Sequence, residues 1–234
     1  SCFGYMGHSH ASYGAIKAHQ AIQAYDRKIM LETKNMFEES GYRVAHGIID
    51  SIWVKKEEDS HGFEEVCSDI TEEIGIELEP EYLFDWVAFV PRSSDEGIAT
   101  LNRYFGKTSD GDFKTAGIEA EQHSTPEYIA KAQLEMIEEL DTRMEAVDVL
   151  QVLEEKVRKL RQGVEPEKLI IEKQVSRSLD AYQVNNRSTA AMKRNRIHGV
   201  EVKPGQKVRY VVRDDEAEEE DRVRLGFEAE TYDV

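Results

Sequence analysis

Apolar residues recur along this chain with two different periods, and the changes of period mark its elements. From Ala15 to roughly Glu39, Ile16, His19, Ile22, Ala24, Ile29, Met30 and Phe37 fall at helical spacing with charges between them, and Gly41 after Ser40 supplies a stop. The pattern then turns strand-like. Tyr42–Ile48 and Ile52–Lys55 are rich in Val, Ile, Tyr and Trp, and only Ile49-Asp50-Ser51 separates them. This predicts a β-hairpin, buried by the runs Gly47-Ile48-Ile49 and Ile52-Trp53-Val54, with Gly47 allowing a bulge or a close backbone approach. Because the helix leads directly into the hairpin, the two are expected to pack on one another.

Around this centre, Ser1–Gly14 reads as a loop entering the helix near Ser12. Glu57–Gly62 is a polar loop, and Phe63–Ile74 is an amphipathic helix closed by Gly75. Ile76–Pro91 carries strand-like alternation and Arg92–Ala99 reads as a loop. Thr100–Gly106 and Asp112–Ile118 form a second hairpin turning at Asp110-Gly111. Pro126 opens a helix from about Glu127 to Leu140, and another runs from about Arg143 to Arg161, stopping at Gly163. Lys168–Gln174 is a short extended segment. Ser188–Ile197 is a basic helix closed by Gly199, and Val200–Arg213 reads as strand, Pro204-Gly205 turn, strand. The class is α+β: an antiparallel sheet with packed helices, followed by a mainly helical part. A strand-rich first domain, 1–123, gives way to a helical second domain, 124–234.

Composition narrows the setting. The 234 residues are 40% hydrophobic and 33% charged, values of a globular chain. No apolar run approaches ~20 residues, so no membrane span is expected. The N-terminus lacks the basic-then-apolar layout of a secretory signal, and Cys2 and Cys67 read as the reduced thiols of a cytoplasmic protein. A start at Ser1 fits removal of an initiator Met or a chain cut from something longer. The net charge of −17 taken whole argues against nucleic acid. Its distribution points the other way: residues 156–213 hold fifteen Lys/Arg against five Asp/Glu, and residues 214–234 hold ten acids against two bases. An acidic body is followed by one basic stretch and an acidic tail, of which Asp214–Asp221 reads as a solvated loop.

The candidate chemistry starts at Asp50. An apex Asp ordinarily caps its own turn; a carboxylate between apolar strands is also how a fold fixes a metal ligand on a rigid element. His8 and His10 read as loop histidines, and Trp53 and Trp86 as core.

Five stretches, in order, resemble motifs of the family B DNA polymerases. Ser1-Cys2-Phe3-Gly4-Tyr5 is similar to the Asn-Ser-x-Tyr-Gly-Tyr motif that joins fingers to palm, with Ser1, Phe3, Gly4 and Tyr5 at the matching positions. About forty residues later, Ile48-Ile49-Asp50-Ser51 stands where the family has Asp-Thr-Asp-Ser at a hairpin apex. Leu101-Asn102-Arg103-Tyr104 resembles the Lys-Lys-Arg-Tyr hairpin, and Thr115-Ala116-Gly117-Ile118-Glu119 the Thr-x-Gly-x-Glu that follows it. Arg177-Ser178-Leu179-Asp180-Ala181-Tyr182, the helix at 188–199 and Pro204-Gly205…Arg209-Tyr210-Val211 resemble the thumb.

The resemblance implies the rear of a palm, 1–123, plus a thumb, 124–234. The exonuclease domain, most of the fingers and the first palm motif would lie on an upstream polypeptide, as in the small subunit of a split archaeal polymerase, or on the rest of a longer chain. It implies a DNA-directed DNA polymerase, inactive alone, that adds deoxynucleotides to a primer with Mg²⁺. By the same likeness Asp50 is a metal ligand and Asp50-Ser51 the catalytic pair, while Ser1, Phe3, Gly4 and Tyr5 line the dNTP. Arg103, Tyr104, Gly117, Arg177, Lys193, Arg194 and Arg196 would meet primer–template DNA. Two departures stand out: Ile48 and Ile49 replace the first Asp and the Thr, and Leu101 and Asn102 replace both Lys. A divergent archaeal and bacterial branch with Gly-Ile-x-Asp at the hairpin, regarded as partly degenerate or devoted to lesion bypass in DNA repair, is similar in this respect. The alternative implied is a catalytically degenerate DNA-binding scaffold.

Overall fold

The computed structural model describes residues 2–233, apart from the side chains of Glu96, Leu101 and Glu219. Ser1, expected at the nucleotide, and the Leu101 side chain therefore lie outside the described residues. Two compact units, Ser1–Leu83 and Phe84–Val234, make up the chain. Each sets helices against small antiparallel sheets, the α+β arrangement expected. The compositional change near residue 124 falls inside the second unit.

The first unit contains α1 (Cys2–Met6), α2 (Ile16–Glu39), β1 (Tyr42–Ile48), β2 (Ser51–Lys56) and α3 (Phe63–Ile74). The opening segment, read as a loop, is helical over Cys2–Met6, and its Met6 carbonyl accepts the Ala15 amide at the entrance to α2. α2 stops where the sequence places its stop: Gly41 adopts φ 87°, and its amide donates to the Glu38 carbonyl. Only Thr33 and Phe37 of α2 are buried; Ile16 and Ile22, which recur at helical spacing, are exposed. The core gathers instead at the far end of the helix. Phe37, Tyr42, Val66, Cys67 and Ile70 are buried together, with Val44, Ile52 and Val54 of the hairpin against them. Tyr42 stacks edge-on to Phe37 and Phe63 and donates its hydroxyl to the His61 carbonyl, which locks the base of the hairpin to the start of α3.

The hairpin itself differs from expectation in two ways. It is half-buried rather than buried, because only one face meets this core. Its bulge sits at Ala45, where pairing shifts from Val44↔Val54 to His46↔Trp53, and not at Gly47. The extra residue turns His46 and Trp53 to the face opposite Val44 and Val54 and brings Gly47 onto the core face. There the backbone comes close to α2: a Cβ on Gly47 would stand 3.3 Å from the Met30 methyl. Gly47 thus serves close helix–strand approach.

The second unit begins with the meander β3 (Phe84–Arg92), β4 (Asp95–Thr108) and β5 (Phe113–Ala116). Residues 92–99, read as a loop, continue the β3–β4 ladder, which closes at Arg92↔Asp95 around a two-residue turn. The described side chains there are exposed and the stretch carries no apolar alternation, so pairing leaves no sequence signal. The β4–β5 turn is where Asp110-Gly111 predicts it, with Gly111 at φ 93°. Trp86, read as core, is only half-buried; it donates its indole N–H to Asp141 (2.7 Å), which also meets Lys107 (2.6 Å). This ties the sheet to α4 (Glu127–Arg143), which precedes α5 (Ala146–Gln162). A left-handed Met144, φ 55°, separates the two helices. Finally β6 (Ile171–Gln174), α6 (Arg187–Ile197), β7 (Lys207–Val212) and β8 (Val223–Leu225) enclose a separate core of Val175, Ala190, Ala191, Met192, Val208, Tyr210, Val223 and Leu225. Val200–Val202 is irregular rather than a strand, and the partner of β7 on that side is β8, which the charge-rich sequence conceals. No helix among the described residues is long and apolar enough to cross a membrane.

Candidate functional site

Asp50 occupies the second position of the two-residue loop between Ile48 and Ser51, which pair across the hairpin. Its carboxylate is exposed and, among the described residues, takes part in no hydrogen bond or ion pair, so the turn-capping role ordinary for an apex Asp is not realised. Ser51 follows as the first residue of β2, half-buried. A hard oxygen donor held on a strand pair anchored to a core fits one ligand position of Mg²⁺. Among the described residues no group of three His, Cys, Asp or Glu side chains is placed to hold an ion.

Phe3, Gly4 and Tyr5 lie on α1. Phe3 stacks on His19 (centroids 4.1 Å apart, planes 25° apart), and its carbonyl lies 3.1 Å from His19 Nδ1. His19 stands about 16 Å along α2 from Met30, the residue over the hairpin glycine. Phe3 and the hairpin of Asp50 thus rest on the same helix about three turns apart. Tyr5 is exposed, and a Cβ on Gly4 would meet nothing within 4 Å.

In the second unit, Arg103 and Gly117 are brought together. Arg103 Nε donates to the Gly117 carbonyl (3.0 Å), and its terminal nitrogen meets Glu119 (2.5 Å). Gln133 of α4 joins them: its amide nitrogen donates to Glu119 (3.2 Å) and its carbonyl accepts the Ala120 amide (2.7 Å). The Gln133 hydrogen bond, ahead of the Arg103 charge, holds the Glu119 carboxyl below the usual range. Gly117 has φ 61°, and a Cβ there would stand 2.2 Å from the Asn102 carbonyl oxygen. Only glycine fits. Tyr104, next along β4, is half-buried beside Phe89, ring centroids 6.0 Å apart. Glu119, which meets Arg103, and Gln133, which meets Glu119, are not singled out by the sequence; the Thr-x-Gly-x-Glu spacing is the signal available for Glu119.

The basic helix α6 is partly turned inward. Asn186 caps it through a reciprocal hydrogen-bond pair with Thr189. Arg194 makes a two-point contact with Glu228 (2.5 and 3.0 Å), both side chains mostly buried. Arg196 pairs with Asp180 at the surface (3.2 Å), Lys193 is half-buried, and Arg177 is exposed. The acidic tail folds back on the basic stretch: Asp215 accepts from Arg187 and Arg222, and Asp221 lies within 4 Å of Arg194, Arg213 and Arg224. Asp214–Asp221, read as a solvated loop, is therefore fastened at two of its acids. Hydrogen bonding from Arg187 brings the Asp215 carboxyl down to about 2.

Burial alone would raise the Glu228 carboxyl; hydrogen bonds from Arg194, the Leu225 amide and His198 outweigh it and bring it to about 2. A depressed carboxylate stabilises the fold above its ordinary value, and that contribution disappears as pH falls from about 5 towards 2. Glu228→Gln is expected to cost about 3 kcal/mol at neutral pH, because it strands a buried guanidinium. It should also flatten the acid limb of a stability-against-pH curve measured by denaturant titration.

A DNA polymerase 2 of Aeropyrum pernix is 30% identical over 214 residues, covering 90% of this chain and 25% of that protein. A DNA polymerase of Archaeoglobus fulgidus is 24% identical over 217 residues, covering 91% of this chain. The chain is a homologue of archaeal family B DNA polymerases. It spans about a quarter of the length of the relatives it matches. The family B DNA polymerase structure from Pyrobaculum calidifontis shares the fold, with a TM-score of 0.64 at 22% identity over 96% of this chain and 28% of that one. No family model matches the chain.

Proposed function

We propose that this chain is the rear of the palm and the thumb of a DNA-directed DNA polymerase, working with a polypeptide that carries the exonuclease domain, the fingers and the first palm motif. The observation that carries this reading is Asp50: an exposed carboxylate without a partner among the described residues, at the apex of a hairpin whose base is anchored in a core.

Asp50 would hold Mg²⁺ together with a carboxylate from the first palm motif of the upstream polypeptide, and the bound metal would supply charge stabilisation for attack by the primer 3′-hydroxyl and departure of pyrophosphate. Phe3 would shape the dNTP pocket by stacking, without the hydrogen bond of a tyrosine hydroxyl. Tyr104 would lie on the primer–template duplex, with Arg103 held by Glu119 and Gly117 and presenting its remaining N–H groups. Arg177, Lys193 and Arg196 would meet phosphates; Arg194, two-point bonded to Glu228, would support α6 instead of touching DNA.

One observation favours a second reading, a DNA-binding scaffold that has lost the chemistry: the hairpin carries Ile48 where a second carboxylate would stand. Primer extension separates the two. This chain combined with the upstream polypeptide should extend a primed template with Mg²⁺, and neither part should do so alone. Tight binding of primed DNA with no extension at any Mg²⁺ concentration would select the scaffold.

A further inference from the structure

Ile49 breaks the local rules of its hairpin. It has φ 52° and is 73% exposed. In the left-handed region a Cβ crowds the neighbouring carbonyl, and a β-branched side chain is the least suited to that crowding. Hairpin positions of this kind select Gly, Asn or Asp. The side chain gains nothing from packing in exchange, since it lies outside the core that anchors the hairpin. Asparagine would have avoided both the strain and the exposed apolar surface. Strain of this sort persists where a function requires the residue.

Its position indicates that function. Ile49 shares a two-residue loop with Asp50, so whatever the carboxylate serves lies within reach of the isoleucine. We propose that Ile49 is a primer-terminus contact: its side chain packs on the apolar carbon face of the deoxyribose and base of the primer's last nucleotide, while Asp50 serves the adjacent 3′-hydroxyl. This rests on the polymerase reading of the hairpin. Burial of apolar surface is non-directional, so the grip is indifferent to base identity and depends on the fit of the terminal nucleotide.

The test uses Ile49→Gly, Ile49→Asn and Ile49→Val. Each is measured for thermal stability in this chain, and for capture of a primer ending in 2-aminopurine by the polymerase assembled with its upstream polypeptide. Ile49→Gly and Ile49→Asn relieve the strain and should raise the melting midpoint by about 2–4 °C. They should weaken capture of the terminus about tenfold, and Ile49→Val should hold it within about threefold. Stabilised variants that capture the terminus as tightly as the wild type would overturn the contact. A wild-type assembly that leaves the 2-aminopurine signal unchanged would do the same. Capture without extension by the wild type would leave the contact standing and remove the polymerase reading. Wild-type extension matched by Ile49→Gly at every primer concentration would remove the contact and keep that reading.

Discussion

Replacing Asp50 with alanine is expected to abolish Mg²⁺-dependent primer extension by the assembled polymerase while leaving the stability of this chain almost unchanged. The two halves of that expectation come from one geometry. Asp50 is exposed and its carboxylate bonds to none of the described residues, so its removal costs the fold no hydrogen bond among them, and surface changes of this kind stay within about 0.5 kcal/mol. The same carboxylate, as a shared metal ligand, would supply several kcal/mol of charge stabilisation in the transition state. At about 1.4 kcal/mol per decade, that is on the order of 10³-fold in rate. Single-turnover extension and denaturant unfolding, measured on the same preparation, check both. Extension unaffected by the substitution would remove Asp50 from the chemistry. Loss of stability in proportion to loss of activity would return it to the role of a turn residue.

Gly117→Ala should show the opposite signature, a large loss of stability. Gly117 combines φ 61° with a Cβ position only 2.2 Å from the Asn102 carbonyl oxygen and 3.1 Å from Arg103 Cγ. The obstruction is backbone, so it cannot rotate away, and β4 must part from the segment that follows β5. The expected cost is about 3 kcal/mol, a drop of roughly 6–12 °C in melting midpoint for a chain of this size. Gly111→Ala is the control. Gly111 also has positive φ, 93°, yet nothing lies within 4 Å of its would-be Cβ, so only the backbone term of about 1 kcal/mol should appear. Because Arg103 donates to the Gly117 carbonyl, duplex binding should weaken in Gly117→Ala and survive in Gly111→Ala.

Comparison of particular elements shows where sequence reading ends. The hairpin around Asp50 and the one at Asp110-Gly111 were legible because their strands alternate over apolar residues and their turns carry conformational markers. The polar continuation of the β3–β4 ladder and the strand β8 were not, since backbone pairing can outlast any side-chain pattern. The helix stops at Gly41, Gly75 and Gly163 were readable one residue at a time, as all three adopt positive φ. Ile49 carried no warning: isoleucine at a left-handed position contradicts every local preference.

Local pattern alone thus determined the helices, the two main hairpins, the placing of an acid at an apex and the ordered motifs that mark a polymerase relative. It also showed a basic stretch followed by an acidic tail, because charge counts and periodicities depend only on neighbours along the chain. Tertiary structure decided what those charges do. Glu228, Asp215 and Asp221 fold back onto Arg194, Arg187 and Arg213, so side chains that look available for phosphate as a linear run are bonded within the fold. It likewise decided that Asp50 stands unpaired among the described residues and that Arg103 is held by Glu119. Pairing across tens of residues depends on where the backbone returns, and no short-range pattern encodes that return.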